Sequence, residues 1–172
     1  MGFLEALSRV VDAINERVGR SIRVLTLLMV VITTYDVVMR YVFRTSFVFI
    51  QELEWHLFAF LFLVAAGYAH LKGDHVRVDI FYARMAPRAR AAVDVGGALL
   101  FLFPTCFLVV VTAIPFVRAS LRVLEGSPDP GGIPARYILK MAIPAGFGLL
   151  ALQGISQLVK SVRTLQGKGV AP

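Results

Sequence analysis

Few side chains in this 172-residue sequence have the type and spacing to do chemistry. Asp36 and Arg40 lie four apart, so on a helix they share a face and can form an ion pair one turn long. Glu52 and His56 have the same spacing, with Glu54 and Trp55 between them. A carboxylate and an imidazole one turn apart can hold a metal, but a closed zinc site takes four ligands and an open one three. No other segment offers a matching cluster. His56 and His70 are fourteen apart, close to four helical turns, and project to similar sides at opposite ends of one apolar run. That spacing suits haem only if a second helix supplies the other axial ligand, and the third histidine, His75, lies beyond the run. The single cysteine, Cys106, sits inside an apolar stretch, which leaves no disulfide framework, CxxC pair or cysteine zinc site. The residues therefore point to no catalytic group, no metal and no cofactor, and the expectation is a chain that is not an enzyme.

Apolar residues make up 58% of the chain and its mean hydropathy is +0.74, against about 45–50% apolar content for a soluble domain. The lipid bilayer is its expected surrounding. Eighteen Lys and Arg against eleven Asp and Glu give a net charge of +7. These charges cluster between apolar runs instead of forming a continuous basic face, which excludes a nucleic-acid partner. A spanning helix needs roughly 20 mostly apolar residues. Residues 95–117 carry no formal charge, and residues 141–159 are uncharged between Lys140 and Lys160. With the runs around Trp55–His70 and Ile22–Phe43, these give expected spans at 22–43, 50–71, 94–117 and 138–160. Ahead of them, Phe3, Leu7, Val10, Ile14 and Val18 step by three or four and stack on one helical face. An amphipathic helix over 3–20, lying in the membrane interface, is the expectation preferred from that stripe, the other reading being a cytosolic extension of the first span. The fold expected is one all-α integral membrane domain with four transmembrane helices preceded by that interfacial helix.

Lys and Arg favour the cytoplasmic side of spanning segments. Twelve of them fall in the N-terminal segment, the connection between spans two and three, and the tail; six fall on the opposite side. Both termini are thus expected to be cytoplasmic, and the Gly- and Pro-rich stretch SPDPGGIP to face outward. Charges near span ends read as interfacial anchors: Arg40 snorkelling beside Asp36, and Trp55 at headgroup level with Glu52 and Glu54 meeting Arg40, Arg44 or a partner's cations. Pro104, Pro115 and Pro144 interrupt the later spans, and Gly96, Gly97, Gly146, Gly148 and Gly154 permit close helix contact. No internal repeat accompanies these breaks, as it does in many self-sufficient transporters, so an accessory subunit is the better expectation.

The run DVVMRYVF from Asp36, followed by QELEWHLFAFLFLVAAGYAHLKGDHVRVDIFY from Gln51, resembles the small permease subunit of tripartite ATP-independent periplasmic (TRAP) transporters. The pattern is an aspartate then RY (Asp36, Arg40, Tyr41), an acid opening span two (Glu52), then Gly67 and H-x-x-x-D (His75, Asp79). A second stretch, EGSPDPGGIPARYILKMAIPAGFGLLALQGIS from Glu125, carries E-x-S (Glu125, Ser127) and IP-x-G (Pro144, Gly146) at the start of span four. The resemblance covers about residues 34–156 and rests on the joint order of these short motifs. It implies a multi-pass subunit of the bacterial inner membrane that braces a large permease subunit. It also implies sodium-coupled uptake of an organic acid, commonly a carboxylate, delivered by a periplasmic substrate-binding protein. Glu52, Glu54 and the loop 125–136 would help dock that protein, and His75 and Asp79 would fix the turn after span two. Two rivals from other classes are a small cytochrome b or quinone-linked anchor using His56 and His70, and a homo-oligomeric exporter using Asp36 or Glu52. Neither accounts for the ordered series.

Overall fold

Within hydrocarbon every backbone N–H and C=O must find its partner inside the protein, so long apolar runs become helices. The computed structural model describes residues 2–73, 82 and 84–167, and four helices make up most of them. They are α1 (Phe3–Tyr41), α2 (Val48–Lys72), α3 (Pro87–Arg122) and α4 (Arg136–Leu165). Each is long and apolar enough to cross a membrane. Gly73 ends α2 with φ 74°, a left-handed conformation that glycine adopts without steric cost. Pro87 opens α3, where its missing N–H has no intrahelical partner to lose. His75 and Asp79 lie outside the described residues.

The separate N-terminal helix expected over 3–20 is not observed as an element of its own: α1 runs unbroken for 39 residues, about 58 Å at 1.5 Å per residue. The cause is a seam distinct from the apolar stripe. Ser8, Val11, Asn15 and Gly19 are buried along one side of α1, while Leu4, Val10 and Ile14 remain exposed. A Cβ on Gly19 would collide with the Tyr68 ring of α2. That glycine therefore marks a close helix crossing and not a helix end.

The bundle is lopsided. α4 is its hub and packs against α1, α2 and α3, while α1 also packs on α2; the main contacts of α3 are to α4. Two glycines of α4 permit this. A Cβ on Gly146 would meet the backbone carbonyl of Leu63, and one on Gly154 would meet Leu102. Gly96, Gly97 and Gly148, expected at contacts too, have open space where a Cβ would stand. Residues Ala98–Leu102 of α3 form a π-helical turn, closed by the Phe103 N–H donating to the Ala98 carbonyl five residues back. Pro104 explains the widening, since its ring and missing N–H forbid a regular turn onto the Leu100 carbonyl. The N-terminal half of α1 lies against the C-terminal half of α4, so the start of α1 and the end of α4 share one end of the bundle.

Candidate functional site: the loop held by Glu52

At the end of the bundle away from the start of α1, α3 and α4 are joined by residues 123–135. Loop tips rich in Gly and Pro usually run loose on a surface, but this one is tied to α2. Glu52 stands in the first turns of α2 with its side chain 6% exposed. Its Oε1 accepts from the Ser127 hydroxyl at 2.5 Å and from the Arg136 guanidinium at 2.9 Å, and its Oε2 accepts from the Ile133 N–H at 2.6 Å. One carboxylate thus gathers three donors from a segment 75 to 84 residues further along. Charge-assisted bonds of this kind are roughly twice as strong as neutral ones. The sequence expectation that Glu52 would meet Arg40, Arg44 or a partner's cation is corrected here: Arg136 is its cation.

The loop also closes on itself. Ser127 N–H donates to the Ile133 carbonyl at 2.8 Å, and Arg136 N–H to the Glu125 carbonyl at 3.0 Å. Gly131 takes φ 80° at the turn, and a Cβ on Gly132 would come within 2.6 Å of Glu52 Oε2. Lys140 forms an ion pair with Glu125 and stands 4.2 Å from the centre of the Phe116 ring. This lysine holds the Glu125 carboxyl below its ordinary pKa. The Arg136 guanidinium lies 5.4 Å from the Trp55 ring centroid, a cation–π contact that ties the loop to the start of α2. What the latch leaves exposed is the tip, Pro128, Asp129, Pro130 and Gly131, with Pro134 beside it.

The remaining candidates are distributed along the bundle. Asp36 pairs with Arg40 one turn later; the aspartate is buried and the arginine half-exposed. Tyr41 is exposed at the end of α1. His56 donates through Nδ1 to the Glu52 carbonyl at 2.6 Å, and its ring tilts against Trp55. With the Glu52 carboxylate filled by loop donors, the pair is not arranged as two metal ligands. Gly67 is buried where three helices meet: a Cβ there would strike Asn15 of α1 and lie 3.3 Å from the Leu149 backbone of α4.

Sequence reasoning missed a polar seam between α1 and α4. Asp12 accepts from Gln153 at 2.9 Å, Ser156 at 2.7 Å and Lys160 at 2.6 Å. Asn15 donates to Gln153 at 2.9 Å, and the Ser8 and Ser156 hydroxyls lie 2.6 Å apart. The available signal was spacing: Ser8, Asp12 and Asn15 share a helix face, as do Gln153, Ser156 and Lys160. Outside the seam, Arg163 pairs with Glu5, and Lys72 of α2 with Glu16 at 2.7 Å.

A latched loop, a buried acid at the start of α2 and four membrane-length helices now stand together. The family model for the DctQ component of tripartite ATP-independent periplasmic transporters matches residues 29–164, well over half of the chain. The chain belongs to the DctQ family. It is a membrane component of a TRAP transporter, and the family is one of transporter subunits, not of enzymes. The matched region takes in α2, α3, the latched loop and nearly all of α4, and it starts within α1 beyond the polar seam. No curated protein and no solved structure matches the chain.

Proposed function

We propose that this DctQ-family chain braces the scaffold of a large TRAP permease subunit and presents the 123–135 loop to a periplasmic substrate-binding protein. The transport it serves is sodium-coupled uptake of an organic acid, a carboxylate by class, across the bacterial inner membrane. Both termini are cytoplasmic on this reading, which the distribution of Lys and Arg supports, and the loop is then periplasmic. The Glu52 latch carries the proposal. A docking surface must keep its shape between encounters, because ordering a flexible loop on binding costs affinity, and Glu52 fixes both flanks of the exposed tip.

The roles divide accordingly. Glu52, Ser127 and Arg136 hold the loop, Glu125 is fixed by Lys140, and the tip around Asp129 meets the partner. Trp55 and the Asp36–Arg40–Tyr41 group anchor the outer ends of α1 and α2. Glu54 lies beside the latch and sets local charge. Gly67 and Gly146 set how closely the helices approach. Replacing Asp129 with Lys tests the docking surface without touching the latch. Uptake at limiting binding protein should fall several-fold and recover when binding protein is raised in excess, with subunit assembly unchanged. Uptake that stays at the wild-type level at every binding-protein concentration would remove the tip from the docking surface.

A further inference from the structure

The first turns of α1 reverse the polarity of an ordinary surface helix, which turns its apolar stripe inward and its polar face to water. Ser8 and Asn15 are buried against Ser156 and Gln153 of α4, and Gly19 is buried under Tyr68 of α2. On the far side Ala6, Val10, Ala13 and Ile14 are exposed, Val10 at 56% and Ile14 at 40%. Their spacings of three and four put them on one face. Leu4, exposed as well, borders a groove of about 510 Å³ between the start of α1 and the end of α4, whose other apolar walls are Leu158, Val159 and Val162.

Position decides what covers this face. α1 is about 58 Å long, against about 30 Å of hydrocarbon in a bilayer. From Val24 it carries no charge until Asp36, and Arg17, Arg20 and Arg23 are exposed just before that stretch. Long basic side chains at such a place settle at headgroup level. Val10 lies about 10 Å beyond Arg17, and Leu4 about 20 Å. A helix that buries an apolar stripe in the interface lies in the membrane plane. This one continues span one without a break, and the Asp12–Lys160 and Glu5–Arg163 ion pairs hold it along α4. The face therefore stands on the far side of the arginines from the hydrocarbon, where protein covers it and acyl chains do not.

Charge describes the partner. Glu5, Asp12 and Glu16 are engaged within the chain by Arg163, Lys160 and Lys72, and the border left exposed is Arg17 and Arg20. A complementary surface has apolar side chains flanked by carboxylates. The face also lies outside the family-matched residues 29–164, where a contact peculiar to one transporter can be built without altering the shared bundle. We propose that Ala6, Val10, Ala13 and Ile14 form a docking face for the large permease subunit of this chain's own transporter, which meets it through an apolar segment flanked by acids. The proposal rests on the bracing role given above and adds where the cognate subunit is recognised.

The test uses the full chain expressed with its operon partners. Benzoylphenylalanine in place of Val10, irradiated in intact membranes, is expected to cross-link to the large subunit at a peptide that carries Asp or Glu. Adducts with lipid alone, with a second copy of this chain, or no adduct at all would overturn the proposal. Val10→Asp combined with Ile14→Asp should lower the large subunit recovered with the tagged chain at least ten-fold, while helical circular dichroism and melting of the chain itself stay unchanged. Arg17→Glu should lower that recovery several-fold. Full recovery with the double variant would remove this face from the contact and leave the bracing role standing. Absence of the large subunit from the wild-type sample would overturn the bracing role and this proposal with it. If the double variant fails to fold, the cross-link at position 10 decides.

Discussion

At the scale of single residues, Glu52 is the side chain on which most depends. Both of its oxygens accept hydrogen bonds, and Glu52→Gln would turn one of them into a donor facing a donor. The Ser127 and Ile133 amides should then exchange hydrogen at least ten-fold faster, with the helical amides of α2 and α4 unchanged; protection equal to wild type would mean that Glu52 does not hold the loop. Glu125 supplies a pH dependence. Lys140 lowers its pKa, so the folded state binds the proton less readily than the unfolded one. Its contribution is fully present above the ordinary glutamate value of 4.5 and is lost as pH falls through the lower folded value. The melting temperature in detergent should therefore fall as pH drops below about 4.5, and the fall should be smaller in Glu125→Gln; an equal fall in the variant would contradict a contribution from the Glu125–Lys140 pair. The importance of Glu52 was legible from its place at the head of an apolar run. Its partners were not, because they lie 75 or more residues away and nothing local announces a contact at that separation.

Among the elements, the four long helices followed from apolar run length, because a bilayer offers such runs few alternatives. The first helix was misdivided for a physical reason. An apolar stripe signals the face turned to hydrocarbon or to the interface, whereas the packed seam of α1 is lined by Ser8, Asp12, Asn15 and Gly19. Polar side chains that satisfy one another across two helices look in a single sequence like solvated ones. Spin labels at Leu4→Cys and Thr34→Cys in a Cys106→Ala background distinguish the two arrangements. An unbroken helix places the two Cα atoms about 45 Å apart, and a right-angle bend at residue 20 about 32 Å. The longer distance is expected. The seam should also be measurable in stability. Gln153→Ala removes its bonds to Asn15 and Asp12 and should cost about 1–3 kcal/mol, given roughly 0.6–1.7 kcal/mol per interhelical hydrogen bond in a membrane. Gly146→Val should cost a similar amount, about 1–3 kcal/mol, by forcing α4 away from the Leu63 carbonyl. Detergent-resistance melting curves that match wild type in either variant would remove that contact from the account.

Across the whole molecule, most of the apolar surface of α1 and α3 is left bare, including Val24, Leu27 and Val31 on α1 and Leu100, Phe107 and Leu108 on α3. A bilayer covers such faces, and so does a larger subunit. Periodicity could not tell the two apart, because each helix is apolar almost all round and lipid and protein partners demand the same residues. The ends of the bundle are more informative. One carries the polar seam between α1 and α4, and the other carries a loop locked by a single carboxylate. This is the form expected of a fixed support with a shaped outer surface. Affinity purification will show whether the chain works as the small subunit beside a large permease. The tagged chain should be expressed from its native operon context, extracted in mild detergent and identified with its companions by mass spectrometry. A stoichiometric multi-span permease subunit is expected in the eluate. A chain that elutes alone, or with a haem-bearing partner, would contradict that role.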